Sequence, residues 1–215
     1  MDDGLNESKL RDSGFDWEEI LMNYLKHVYL ITGGDFFEIN QLSSLFLSKK
    51  NNEIQPYSMD GVSQYLDQAF DDAIESVKNN HGGPFGAVIV RDGKIIGRGV
   101  NRVISENDPT AHAEVMAIRN ACKNIGHFDL TGATIFTTCE PCPMCLSAIY
   151  WANIQEVYYC STRKDAESIG FRDNHIYEEL NLPVEERKIH FVKIGNPKSE
   201  ALFKLWLDKV DKVSY

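Results

Sequence analysis

From residue 62 onward, apolar positions repeat with the two periods that folded chains use. Across residues 62–78, Tyr65, Leu66, Ala69, Phe70, Ala73, Ile74 and Val77 recur three and four apart, drawing one stripe on an amphipathic helix. Residues 85–91 and 94–103 are β-rich and flank Asp92-Gly93, a dipeptide suited to a type I′ turn because both central residues need positive φ. An antiparallel hairpin is expected there. A helix ending near Asn124 follows, then a short strand over 133–138, a helix ending near Ala152 and a strand over 156–160. Such alternation implies crossover connections, parallel neighbours and helices on both faces of the sheet. Residues 189–194 read as a fifth strand and 199–213 as a last helix carrying Leu202, Leu205, Trp206 and Leu207. The expected fold class is α/β, a three-layer α/β/α sandwich around a mixed five-stranded sheet.

The first sixty residues follow another pattern. Residues 1–13 are polar, Asp16 and Glu19 resemble a capping box, and Ile20, Leu21, Tyr24, Leu25, Val28 and Leu30 have near-helical spacing. Gly33-Gly34 stops that helix, a second apolar cluster runs from Phe36 to Leu47, and residues 49–55 read as a polar linker. The chain therefore divides into a partly helical extension over 1–60 and a domain over 61–215. The apolar side chains of the extension need a surface to cover, either the domain or a partner subunit, and His27 among them has no cluster of ligating groups around it.

A chain of 215 residues with 43% hydrophobic content can bury a proper core. A formal charge of -10 argues against a broad phosphate-binding surface, so a small neutral substrate fits better than a nucleic acid. The five cysteines are odd in number, three of them fall within 139–145, and no signal peptide precedes them, which points to free thiols and a cytoplasmic location. No membrane span is expected, since the most apolar N-terminal stretch is interrupted by Glu, Asn, Lys and His.

The chemistry lies between Asp108 and Ala152. His112, Cys142 and Cys145 supply an imidazole and two thiolates, three ligands for a tetrahedral Zn²⁺ with one position left open. Cys142 and Cys145 are three apart, so on a helix both sulfurs leave one face. Pro141 and Pro143 suit a first helical turn, whose N–H groups have no intrahelical partner, and the helix dipole there favours a thiolate. His112 and Glu114 are two apart, about 200° around a helix, so they share a site only if His112 stands at its helix start. Glu114 then reaches a metal-activated water rather than the metal. His-x-Glu followed by Pro-Cys-x-x-Cys is the pattern of zinc-dependent nucleobase deaminases, with the Glu as acid and base. Three other readings explain less. A closed Cys₃His site using Cys139 leaves Glu114 without a role, an iron–sulfur site lacks its fourth cysteine because position 149 is Ile, and a redox dithiol ignores His112.

The runs Gly82-Gly83-Pro84-Phe85-Gly86-Ala87-Val88-Ile89-Val90, Asn107-Asp108-Pro109-Thr110-Ala111-His112-Ala113-Glu114 and Cys139-Glu140-Pro141-Cys142-Pro143-Met144-Cys145 resemble the bacterial guanine deaminases of the cytidine deaminase superfamily. So do Ala148-Ile149-Tyr150-Trp151-Ala152, the run from Ala166 to Asp173, and an ending in Tyr215; the likeness spans about residues 62–215 and leaves the extension outside. The resemblance implies Zn²⁺ on His112, Cys142 and Cys145, and hydrolysis of guanine to xanthine and ammonia with Glu114 as proton shuttle. It also implies substrate contacts from Asn101, Ala111, Trp151, Phe171 and Asp173, and from Tyr215 through a C-terminal segment swapped within a homodimer. Two rival functions remain beside it. A tRNA adenosine deaminase shares the Pro-Thr-Ala-His-Ala-Glu run but needs a basic surface, whereas residues 202–212 interleave acid with base. A non-catalytic zinc-stabilised interaction module needs four protein ligands.

Overall fold

In a computed structural model, residue 57 and residues 59–214 are described. The helix and apolar cluster expected before residue 56, and Tyr215, lie outside the described residues. The chain divides into two units, Met1–Gln55 and Pro56–Tyr215.

The sheet of the second unit has four strands, β1 (Gly86–Arg91), β2 (Lys94–Val100), β3 (Thr134–Cys139) and β4 (Glu156–Ser161), in the order β2-β1-β3-β4. β1 and β2 form the expected antiparallel hairpin, and Asp92 and Gly93 both take positive φ, 52° and 69°. β1 also pairs antiparallel with β3, and only β3 and β4 run parallel, so the sheet is mixed. Successive side chains on a strand face opposite ways, and both sides here are covered. Val88, Val90 and Phe136 pack under α1 (Met59–Lys78) with Ala69, Tyr65 and Leu66. Ala87, Ile89 and Ile135 pack on the other side, against Ala113, Ala117 and Ala121 of α3 (Ala113–Ile125) and Ile149 of α4 (Pro143–Trp151). These are the three layers of an α/β/α sandwich. Double coverage explains why β1 and β3 read as unbroken apolar runs: nearly every residue in them is buried.

The short helix α2 (Val103–Glu106) precedes α3, and beyond β4 come α5 (Arg163–Ser168), α6 (Asn174–Asn181), a 3₁₀ turn (Val184–Glu186) and α7 (Pro197–Asp208). The expected fifth strand does not form. Residues 189–194 have no regular structure, and Ile189, Phe191, Val192 and Ile194 are exposed. Apolar content made that segment look like a strand, but a strand also needs a neighbouring edge to bond with, and every described pairing is among β1 to β4. The last helix ends at Asp208, five residues before the expected stop.

The seat of α3 on β2 depends on two glycines. A Cβ on Gly99 would lie 2.2 Å from the Ala113 carbonyl oxygen and 2.3 Å from the Ala117 nitrogen, and one on Gly97 would lie 2.5 Å from the Ala117 oxygen. Backbone meets backbone there, so neither side chain can swing away. Gly99→Ala should therefore cost about 1–3 kcal/mol by overpacking, read as a lower urea midpoint with an unchanged slope.

Candidate active site

Two helix starts meet at one end of the sheet. His112 is the N-cap residue of α3, with extended dihedrals (φ -74°, ψ 156°). The loop before it is fixed by Asp108, whose Oδ1 accepts from the Thr110 N–H at 2.8 Å and the Thr110 hydroxyl at 2.7 Å. These bonds hold the Asp108 carboxyl below its usual range. Cys142 is the N-cap of α4 and Pro143 its first residue, which puts Cys145 in the first turn as the spacing required. Pro141 stands just outside that turn. Both thiols thus face the positive end of a helix dipole.

His112 Nδ1 lies 3.5 Å from the sulfur of Cys142 and 3.5 Å from that of Cys145, and the three donor atoms fall within 4.8 Å of one another. A tetrahedral Zn²⁺ with bonds of about 2.3 Å to sulfur and about 2.0–2.1 Å to nitrogen places N and S roughly 3.5–3.6 Å apart. The trio fits that ion in both geometry and donor softness. Cys139 does not join it. Its sulfur points to the Thr162 carbonyl oxygen at 3.6 Å, so no fourth cysteine closes the site, and burial pushes that thiol up to about 11.

Ionisation within the trio follows from its contacts. The hydrogen bond from Cys145 lowers the Cys142 thiol against its burial, and the same bond, with burial, raises Cys145. Cys142 in turn raises His112. Glu114, two residues into α3, is buried, and the Thr137 hydroxyl lies 3.4 Å from its Oε1. Burial pushes its carboxyl up from its ordinary value.

A cavity of about 260 Å³ opens above this group, lined by His112, Glu114 and Cys142 together with Asn101, Phe171 and Asp173. Asn101, just past β2, is buried, and its Oδ1 accepts from the N–H groups of Gly83 (3.1 Å) and Val103 (3.3 Å). With the oxygen committed, its amide nitrogen is left to donate. Gly82 permits this approach, since a Cβ there would sit 2.2 Å from Asn101 Oδ1. Phe171 meets Phe85 edge to face at 4.8 Å, and burial raises the Asp173 carboxyl.

Two of the expected substrate contacts, Ala111 and Trp151, are not in that lining. Ala111 is fully buried, and its N–H and carbonyl are engaged by the Asp108 oxygen and the Arg102 N–H, so it fastens the loop before His112. Trp151 ends α4, about 12 Å along the helix from Pro143 at ~1.5 Å per residue. It is 65% exposed and lines a separate groove with Val115, Ile118 and Phe128. Tyr215 lies outside the described residues. The cavity instead recruits Phe85, Glu140, Arg163, Ala166, Arg172 and Ile176. Phe85, Glu140, Ala166 and Arg172 sit inside motif runs that gave them no role, and no spacing singles out Arg163 or Ile176.

The zinc-binding region of cytidine and deoxycytidylate deaminases matches residues 59–161. The guanine deaminase of Bacillus subtilis (strain 168) is 48% identical over 151 residues, covering 70% of this chain and 97% of that protein. The chain belongs to the cytidine and deoxycytidylate deaminase family. An X-ray structure of the Bacillus subtilis guanine deaminase superposes with a TM-score of 0.69 at 47% identity, over 71% of this chain and 98% of that one. A tRNA-specific adenosine deaminase of Buchnera aphidicola is also similar, 37% identical over 110 residues, 51% of this chain and 70% of that protein. In this deaminase the zinc of the family fits His112, Cys142 and Cys145. Cys145→Ser should lower bound zinc far below one equivalent per chain while the far-ultraviolet circular dichroism stays near wild type, as metal analysis after gel filtration will show.

Proposed function

We propose that this chain hydrolyses guanine to xanthine and ammonia, with residues 61–215 as the deaminase domain and 1–60 as an extension. The observation that carries the reading is the gathering of a zinc-type trio, a buried Glu114 and the polar pair Asn101 and Asp173 around one cavity. The 48% identity to a guanine deaminase supports the same substrate.

His112, Cys142 and Cys145 would hold Zn²⁺, which would supply a Lewis acid that makes water nucleophilic near neutral pH. Glu114 takes a proton from that water as its oxygen bonds to the carbon bearing the exocyclic amine. It delivers that proton to the adjacent ring nitrogen, then takes the remaining proton of the hydroxyl newly bonded to the carbon and gives it to the amine, so that the C=O forms, the C–N bond breaks and ammonia leaves. Burial, which favours the protonated acid, suits a group that must hold a proton between steps. Asn101 donates its amide N–H to the acceptor edge of the purine. Asp173 accepts from ring N–H groups of guanine where adenine presents a lone pair. Phe85 and Phe171 form an aromatic wall against which the flat base stacks.

The acting form in this proposal is a homodimer whose C-terminal segments are exchanged, bringing Tyr215 to the neighbour's cavity. Within one chain, Leu202, Phe203, Leu205 and Leu207 of α7 are between 63% and 69% exposed, an apolar surface that a second copy would cover. The free cysteines and thiolate donor set suit a reducing cytoplasm. No described helix is long and apolar enough to cross a membrane.

Ammonia release should occur with guanine and not with adenine, cytosine or guanosine. Glu114→Gln should lower kcat by about 10²–10⁴ with zinc retained. Activity on a tRNA anticodon stem-loop with guanine inert would reverse the substrate reading. Light scattering should give twice the chain mass, and Leu205→Glu with Leu207→Glu should shift it toward the monomer.

A further inference from the structure

We propose that Tyr177 is a positioning residue for substrate selection: with Arg163 and Glu140 it clasps the α5–α6 wall of the cavity to the loop between Cys139 and Cys142, and so sets where Asp173 stands. The inference rests on the guanine reading above. The wall supplies Ala166, Phe171, Asp173 and Ile176 to the cavity, yet neither α5 nor α6 contains a buried residue. Apolar packing, which seats α3 and α4, is reduced here to contacts such as Phe171 on Phe85, and specific polar contacts add to the positioning.

Two such contacts reach the metal loop, and a third ties them together. The Tyr177 hydroxyl donates to the Pro141 carbonyl at 3.1 Å, and Pro141 is the residue before the Cys142 ligand. The Arg163 N–H at the start of α5 donates to Glu140 Oε2 at 3.1 Å. The Arg163 guanidinium lies 4.8 Å above the Tyr177 ring, a cation–π contact that joins the two helices to each other. Asp173 is the N-cap residue of α6, four positions before Tyr177 and so on the same side of the helix. Moving Tyr177 moves Asp173 with it. Burial raises the Asp173 carboxyl and the Arg163 charge opposes that rise, which gives the clasp an electrostatic hold on the same group.

Tyr177→Phe tests this, because it keeps the ring under Arg163 and removes only the hydroxyl. The KM for guanine should rise roughly fivefold, the weight of one neutral hydrogen bond, with kcat within about twofold and zinc content unchanged. Amide hydrogen exchange at Arg163 and Phe171 should accelerate. In an Asp173→Ala background the same substitution should leave KM where Asp173→Ala alone sets it, because both act through one contact. A wild-type KM in Tyr177→Phe would overturn the proposal, as would a fall in kcat with loss of zinc, which marks a purely structural role. Should the wild-type enzyme release no ammonia from guanine, the substrate reading fails by itself. Amide exchange then still decides whether Tyr177 holds the wall: faster exchange supports the clasp and unchanged exchange overturns it.

Discussion

Everything chemical in this protein depends on bringing one imidazole nitrogen and two sulfurs within 4.8 Å of one another. The donors come from two helix starts thirty residues apart in the chain, so the requirement falls on the scaffold. β1 and β3 meet it by being buried on both faces, which makes them a rigid floor. α3 meets it by lying almost backbone to backbone on β2, through Gly97, Gly99 and the small residues Ala113, Ala117 and Ala121. A larger side chain in that seam would lift the helix that carries both His112 and Glu114. The packing of small residues and the placement of the acid are the same constraint seen at two ends of one helix.

The cavity divides into two parts built by different forces. The floor, with His112, Glu114, Cys142 and Asn101, is seated by a close-packed core and by backbone hydrogen bonds such as those that fix Asn101 Oδ1. The α5–α6 wall, with Phe171 and Asp173, lacks buried residues and is held by single polar contacts to the metal loop. Close packing resists displacement far better than one half-buried hydrogen bond does. The metal-ligating trio and Glu114 belong to the stiff part, and Phe171 and Asp173 belong to the softer part.

Beyond the wall, residues 189–210 show many exposed apolar side chains. Their spacing alone suggested a strand and a helix; the helix forms and the strand does not. A helix satisfies its hydrogen bonds within itself, so α7 forms even with its apolar side chains exposed, whereas a strand exists only against an edge.

The metal trio, Glu114, the hairpin and the doubly covered sheet were all legible in the amino-acid order, because each depends on local spacing. Two thiols three apart, an acid two past a histidine, a turn that needs positive φ and a run of buried residues are short-range facts. Which groups line the cavity was legible only in part. Asn101, Phe171 and Asp173 stand there, but Trp151 sits at the far end of α4, Ala111 is turned inward to fasten a loop, and Arg163 and Ile176 enter with no motif to announce them. Their places follow from how α5 and α6 fold back over the metal loop, a long-range contact between parts of the chain that no periodicity links. Sequence determined the reaction's machinery through local geometry, and tertiary structure alone decided the walls around it.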